Sequence, residues 1–97
     1  MSNKRYGLGY ERKRKKELEQ NGYTANRNRG SFGCFDIVSC KKEHFLLESI
    51  KSTKLKYYSF VKEIDEISKF DNCPKGTIKR LVLYHKGKLK ILFEKVV

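Results

Sequence analysis

The residue in this sequence that most needs a chemical explanation is Asp36, an acid surrounded by apolar and β-branched residues. Residues 34–39 read CFDIVS, which is the composition of a strand that packs in a core. A carboxylate buried in such a strand is unfavourable unless a cation compensates its charge. Either a metal ion or a lysine would supply that compensation.

Partners for Asp36 are available on two other predicted elements. The following strand contains Glu48 and Ser49 and leads into Lys51, and a predicted N-terminal helix carries Glu11. Carboxylate oxygens are the ligands that Mg²⁺ prefers, and a lysine can orient a nucleophile or stabilise charge on a phosphate. Together these groups are able to hold Mg²⁺ and activate water for phosphodiester hydrolysis.

Simpler interpretations of the same residues remain open at this stage. Asp36 and Lys51 could form an ion pair with a purely structural role. Glu11 could form a surface pair with Lys15, four residues further along the helix. The basic run over residues 12–16 could be either a solvated helix face or a set of phosphate contacts.

The elements that would position these residues follow from the hydrophobic pattern. It predicts helices over residues 7–21 and 57–70 and strands over 23–27, 34–39, 44–50, 77–84 and 89–96. On the first helix, Leu8, Glu11, Lys15 and Leu18 are predicted to share the inward stripe. The order α-β-β-β-α-β-β predicts an α/β fold, in which a central mixed five-stranded sheet is flanked by helices. We interpret residues 1–97 as one domain.

Net charge indicates the class of partner. The chain has a formal net charge of +12 and a mean hydropathy of −0.71, and its N-terminal third is the most basic part. Such a surplus attracts polyanions, of which nucleic acid is the commonest.

No segment is apolar enough to cross a membrane, and Gly7 and Gly9 lack the context of a nucleotide-binding fingerprint. Three cysteines without a metal-binding spacing are typical of free thiols, so we expect an intracellular, cytoplasmic protein with no membrane partner and no nucleotide cofactor.

Five short segments in order resemble the archaeal-type Holliday junction resolvases of the PD-(D/E)XK nuclease superfamily. They are GLGYE at 7–11, NGY at 21–23, RNRGS at 27–31, FDIV at 35–38 and IKSTK at 50–54. Each segment alone is a weak signal, but five in order are fairly specific. The resemblance covers residues 4 to about 70, and the last hairpin agrees only in type.

The resemblance implies a restriction-endonuclease-like fold and a Mg²⁺-dependent endonuclease, with Mn²⁺ as a substitute, that resolves four-way DNA junctions as a homodimer. It implies that Glu11 and Asp36 are metal ligands, that Lys51 is the catalytic lysine and that Ser31 is a loop residue near the scissile phosphate. It also implies an archaeal or archaeal-virus host cell. A two-fold dimer would suit a two-fold junction.

One position departs from the family motif, which is acid-x-Lys. Two residues before Lys51 the chain has Ser49, and Glu48 is displaced by one. In a regular strand Glu48 points to the face opposite Lys51. Either a β-bulge near Ser49 turns Glu48 inward, or Ser49 and water replace the carboxylate as a weaker ligand. The third possibility is a catalytically impaired module that only binds branched DNA.

Basic residues around the predicted site are candidates for contacts with the DNA backbone. They are Arg5, Arg12, Lys16, Arg27, Arg29, Lys54 and Lys56. An RNA-binding or regulatory domain is a weaker alternative that a competition between RNA and four-way DNA would test. The candidates for a dimer interface are Phe60, Ile91 and Phe93.

Overall fold

A computed structural model of the 97-residue chain describes residues 2–28, 30, 32–42 and 44–97, with side chains from residue 9 onward. The elements are α1 (Ser2–Gln20), β1 (Thr24–Arg27), β2 (Ile37–Lys41), β3 (His44–Thr53), α2 (Val61–Lys69), β4 (Ile78–His85) and β5 (Lys88–Val96). The predicted order α-β-β-β-α-β-β is confirmed. Neither of the two described helices is both long and apolar enough to cross a membrane.

The strands form one five-stranded sheet in the order β1-β2-β3-β4-β5. Strands β3 and β4 are parallel because α2 connects them, and the other neighbouring pairs are antiparallel. The sheet is therefore mixed and five-stranded, as the sequence predicted.

Alternating side chains of the sheet form an apolar cluster on each face. One cluster packs with α1 and the other with α2. The α1 cluster contains Leu18, Ala25, Ile37, Leu46, Ile50, Val82 and Tyr84. The buried members of the α2 cluster are Phe35, Leu47, Ile67 and Leu81.

Among the described side chains, the inward stripe of α1 differs from the prediction at Lys15, and the side chain of Leu8 lies outside the described part of the chain. Leu18 is buried as expected, but Lys15 is partly exposed and its Nζ lies 2.9 Å from Glu19 Oε2 on the helix surface. Arg14 is buried instead. Residue 14 is three positions after Glu11 and four before Leu18, a spacing that suits the stripe as well as residue 15 does.

Helix α2 is shorter than predicted because residues 57–60 are not helical. The Tyr58 ring packs edge-on against His85, with ring centroids 5.0 Å apart, and this contact holds the chain against the end of the sheet. At the other end of α2, the buried Lys79 Nζ donates hydrogen bonds to the Ser68 and Phe70 carbonyls at 3.0 and 2.7 Å. These bonds satisfy carbonyls at the helix C-terminus.

Two further boundaries bear on the site. Strand β2 begins at Ile37, so Asp36 directly precedes the strand and does not lie inside it. The predicted hairpin turn between β4 and β5 contains Lys86 and Gly87, both with positive φ angles of 53° and 82°. Positive φ at both central residues is typical of a tight two-residue hairpin turn.

Candidate active site

Asp36 is anchored to β3 by two hydrogen bonds. Its backbone N–H donates to the Glu48 carbonyl at 2.8 Å, and its Oδ2 accepts the Ile50 N–H at 2.6 Å. The carboxylate is therefore fixed at the edge of the β2–β3 pair. Burial raises the pKa of Asp36 above its ordinary value of 3.8, although the Ile50 N–H and nearby positive charges act in the opposite direction.

Strand β3 supplies two polar groups to this carboxylate. Ser49 and Lys51 share one face of the strand because they are two residues apart. Ser49 and the positive charge of Lys51 both act to lower the pKa of Asp36, and Lys51 also acts to lower the pKa of Glu11. Ser49 is almost completely buried, whereas Lys51 is partly exposed.

Helix α1 brings Glu11 to the same place. Its Oε1 lies 3.4 Å from Arg27 Nε of β1. Burial raises the pKa of Glu11, and the negative charge of Asp36 raises it further, against the opposing effect of Arg27 and Lys51. Glu11, Asp36 and Lys51 therefore lie near enough together for the charges of Asp36 and Lys51 to act on the pKa of Glu11.

Glu48 lies on the opposite face of the sheet. It is 0% exposed, and Arg14 Nε and Nη2 lie 2.7 and 2.9 Å from its Oε1 and Oε2. Arg80 Nη1 lies 3.3 Å from Oε2. Strand β3 pairs with β4 residue by residue from Leu46 to Thr53, so Glu48 is not turned toward Lys51. The bulge that would have made Glu48 a metal ligand is therefore not what the structure shows, and Ser49 occupies the motif position.

Sequence reasoning missed two residues that support the site. Arg14 stood in a basic run and was not distinguished from its neighbours, although its spacing from Leu18 was a usable signal. Asn28 closes the loop before β2: its Nδ2 donates to the Phe35 carbonyl at 2.7 Å, and its backbone N–H donates to the Asp36 carbonyl at 2.8 Å. An Asn flanking a Gly-containing loop is a known turn signal.

Among solved structures, the chain is similar to Hjc of Archaeoglobus fulgidus, a Holliday junction resolvase from an archaeal hyperthermophile. The TM-score is 0.71 and the identity is 26%, over 89% of this chain and 70% of the other. The fold of the chain described here is that of an archaeal Holliday junction resolvase. The resemblance predicted from sequence is confirmed at this level. No protein-family model matches the chain, and no curated protein matches it.

Within the resolvase fold, the candidate metal ligands are few. The described residues contain no group of three or more His, Cys, Asp or Glu side chains that could hold a metal ion. Glu11 and Asp36 are two carboxylates, and Mg²⁺ commonly retains several waters and binds proteins through one or two carboxylates. The raised pKa values of both acids show that the nearby cations do not fully compensate their charge. The donor set therefore fits Mg²⁺, with the Ser49 hydroxyl as an uncharged neighbour.

Five of the residues predicted to contact DNA have described side chains, and all five are exposed. They are Arg12, Lys16, Arg27, Lys54 and Lys56. The side chain of Arg5 and the residues Arg29 and Ser31 lie outside the described part of the chain. Of the dimer candidates, Ile91 is 50% exposed, whereas Phe60 and Phe93 pack against the α2 cluster.

Proposed function

We propose that this protein is a Mg²⁺-dependent endonuclease that hydrolyses phosphodiester bonds in branched DNA. The observation that carries the proposal is the convergence of Glu11, Asp36 and Lys51 in a fold like that of a Holliday junction resolvase. These three residues come from α1, the position before β2, and β3, so they are far apart in sequence.

Each residue has a distinct role in the proposed reaction. Asp36 and Glu11 would hold Mg²⁺, for which Mn²⁺ could substitute, and at this position the ion would supply activation of a water and stabilisation of charge on the phosphate. Lys51 orients the nucleophile and stabilises negative charge on the phosphate, and Ser49, on the same face of β3 as Lys51, is an uncharged neighbour of Asp36. Ser31 lies near the scissile phosphate by resemblance to the family.

The proposed substrate is a four-way DNA junction bound by a homodimer. The exposed basic residues Arg12, Lys16 and Arg27 would contact the DNA backbone, and Arg27 Nε lies 3.4 Å from Glu11 Oε1. The dimer would use the edge strand β5, which exposes Ile91 and Val96. A two-fold dimer would place one site on each of two opposed strands. Sedimentation velocity tests the dimer, and Ile91→Glu is expected to yield a folded monomer.

Cleavage of four-way, Y-shaped and linear DNA, in Mg²⁺ and in EDTA, tests the proposed activity. We expect four-way DNA to be cut in Mg²⁺ only. Asp36→Ala and Lys51→Ala should each reduce the rate by about 100-fold or more, because the first removes a proposed metal ligand and the second removes a positive charge that stabilises the reacting phosphate. The matched controls are Asp65→Ala and Lys75→Ala, which are exposed and lie outside the site. Undiminished cleavage by Asp36→Ala would overturn the site assignment.

A second candidate function is a branched-DNA-binding module without cleavage. The observation that favours it is Ser49 in the position of the motif acid, with Glu48 held by Arg14 on the opposite face. This function predicts salt-sensitive junction binding with no cleavage in either Mg²⁺ or Mn²⁺. The cleavage assay with four-way, Y-shaped and linear DNA therefore decides between the two candidate functions.

A further inference from the structure

The segment 54–58, which follows the strand of Lys51, exposes two large apolar side chains. Leu55 is 66% exposed and Tyr57 is 80% exposed. The backbone beneath them is held in place. The Leu55 N–H donates to Thr53 Oγ1 at 3.1 Å, and the Leu55 carbonyl lies 2.8 Å from His85 Nε2. An anchored backbone that presents apolar side chains to solvent indicates a surface for a partner.

A groove of about 550 Å³ lies beside this segment. It is lined by Tyr10, Lys54, Lys86 and Gly87. Tyr10 stacks on Tyr84, with ring centroids 4.6 Å apart, and so forms a firm aromatic wall. Tyr10 is adjacent to Glu11 in sequence, and Lys54 follows Lys51 by three residues. The groove is thus lined by close sequence neighbours of Glu11 and Lys51.

The charge around the segment selects among possible occupants. Residues 49–62 and 84–93 contain no acid, and their lysines are Lys51, Lys54, Lys56, Lys62, Lys86, Lys88 and Lys90. The second copy in the proposed homodimer is placed on β5 at Ile91 and Val96, which leaves the segment 54–58 for another occupant. Lys56 Nζ lies 5.6 Å from the centre of the Tyr57 ring, so cation and ring already lie together. An aromatic ring among lysines fits a polyanion with flat apolar faces, which is the chemistry of a nucleic acid strand.

We propose that the segment 54–58 and the groove together bind unpaired nucleotides at the branch point of the DNA. Tyr57 and Leu55 pack against exposed base faces, and Lys54 and Lys86 bind the adjoining phosphates. In a continuous duplex each base face is covered by its neighbour, whereas an unstacked base offers a face to an aromatic side chain. The inference rests on the proposed function, because it names the part of the branched substrate that is recognised beside the catalytic residues.

The test measures affinity in EDTA, where cleavage is absent, by fluorescence anisotropy. Three DNAs are compared: a junction with two unpaired thymidines at the branch point, the same junction with abasic nucleotides there, and a linear duplex. We expect wild type to bind the thymidine junction at least about fivefold more tightly than the abasic junction, in line with stacking of a base on an aromatic ring. Tyr57→Ala should lose this preference, and Tyr57→Phe, which keeps the ring, should retain it.

The lysines are tested by salt dependence. Lys54→Ala combined with Lys86→Ala should weaken binding to every DNA and reduce the slope of log affinity against log salt by about 1.8. The control pair, Lys69→Ala with Lys75→Ala, should leave the slope within experimental error of wild type.

The outcomes separate the two proposals. If wild type prefers both junctions to the duplex but does not distinguish thymidine from abasic nucleotides, the stacking inference is overturned and the proposed function stands. If wild type does not distinguish junctions from duplex, the branched-DNA function fails and the inference fails with it. A change in oligomeric state caused by Tyr57→Ala would identify the segment as a protein interface and overturn the inference.

Discussion

At Ser49 the protein has a hydroxyl where the family motif has a carboxylate, and this residue sets the strength of the proposed metal site. Its side chain is buried and acts to lower the pKa of Asp36. We expect Ser49→Asp to raise the affinity for Mg²⁺ on the order of tenfold, because affinity rises with the number of charged ligands. Isothermal titration calorimetry measures this without any cleavage assay.

The matched control for that substitution is Ser52→Asp. Residue 52 is on the same strand but points to the opposite face from Ser49, so the added charge should leave Mg²⁺ affinity near that of wild type. Equal affinities for Ser49→Asp and wild type would show that residue 49 does not face the ion.

At Asp36 the pKa has a consequence for stability. Because the folded chain raises this pKa above 3.8, the native state holds the proton more tightly than the unfolded chain does. The contribution of Asp36 to stability is therefore greatest at low pH, and it falls as pH rises from about 4 through the folded pKa. Without metal at pH 7, Asp36→Asn should thus have a higher melting temperature than wild type, and the difference should shrink toward pH 4.

Added Mg²⁺ should reverse that order. The ion binds the native state of wild type and stabilises it by mass action, whereas Asp36→Asn lacks the charged ligand. Differential scanning fluorimetry with and without 10 mM Mg²⁺, an amount on the order of that expected to saturate a weak site, measures both effects. Asp65→Asn, at an exposed helix position, is the control and should follow wild type. A metal-induced shift of equal size in Asp36→Asn would argue against a metal at Asp36.

At the scale of elements, the position of Glu11 depends on how α1 is held against the sheet. Arg14 is three residues from Glu11 and makes a two-pronged contact with the buried Glu48. The Tyr84 hydroxyl donates to Glu17 Oε1 at 2.6 Å on the same helix. Burial acts to lower the pKa of Arg14, but its hydrogen bonds to Glu48 outweigh this effect and the pKa is raised. The displaced acid thus helps fix the rotation of the helix that carries Glu11.

We expect Glu48→Ala to lower the free energy of unfolding by about 3–5 kcal/mol, because it leaves a buried guanidinium without its carboxylate. The double variant Arg14→Met with Glu48→Leu should be less destabilised than Glu48→Ala, since apolar groups of similar size can replace a buried pair. Urea denaturation measures both. Glu94→Ala, which removes a half-exposed partner of Arg80, should cost only about 0.2–1 kcal/mol. A Glu48→Ala variant as stable as Glu94→Ala would contradict the role assigned to this pair.

At the scale of the whole molecule, the net charge of +12 surrounds a small acidic site. Long-range attraction should make junction binding strongly dependent on salt. A complex that neutralises about six phosphates loses roughly 1000-fold in affinity between about 50 and 200 mM salt. If the affinity for the junction changes less than about tenfold over this range of salt, recognition does not depend on the basic surface.

The sequence predicted much of the architecture because its local signals agree with the tertiary structure. The alternation in β3 and β4 and the Lys86-Gly87 turn are local features. Strands β3, β4 and β5 therefore formed within a few residues of their predicted bounds. Helix α2 was predicted too long because the contact between Tyr58 and His85 is distant in sequence. We predicted Lys15 on the inward stripe of α1, where the structure has Arg14, because helical spacing alone does not distinguish adjacent positions of a basic run.

The sequence by itself determined the types of residue available for chemistry, the order of the elements and the positive charge, since composition and periodicity are properties of the chain. Only the tertiary structure decided which acids meet. Strand pairing and helix packing bring Glu11 near enough to Asp36 for the two charges to interact, and they bury Glu48 against Arg14 on the other face of the sheet. The physical reason is that a strand alternates its side chains with a period of two, so a displacement of one residue moves an acid from the proposed site into the packing between helix and sheet.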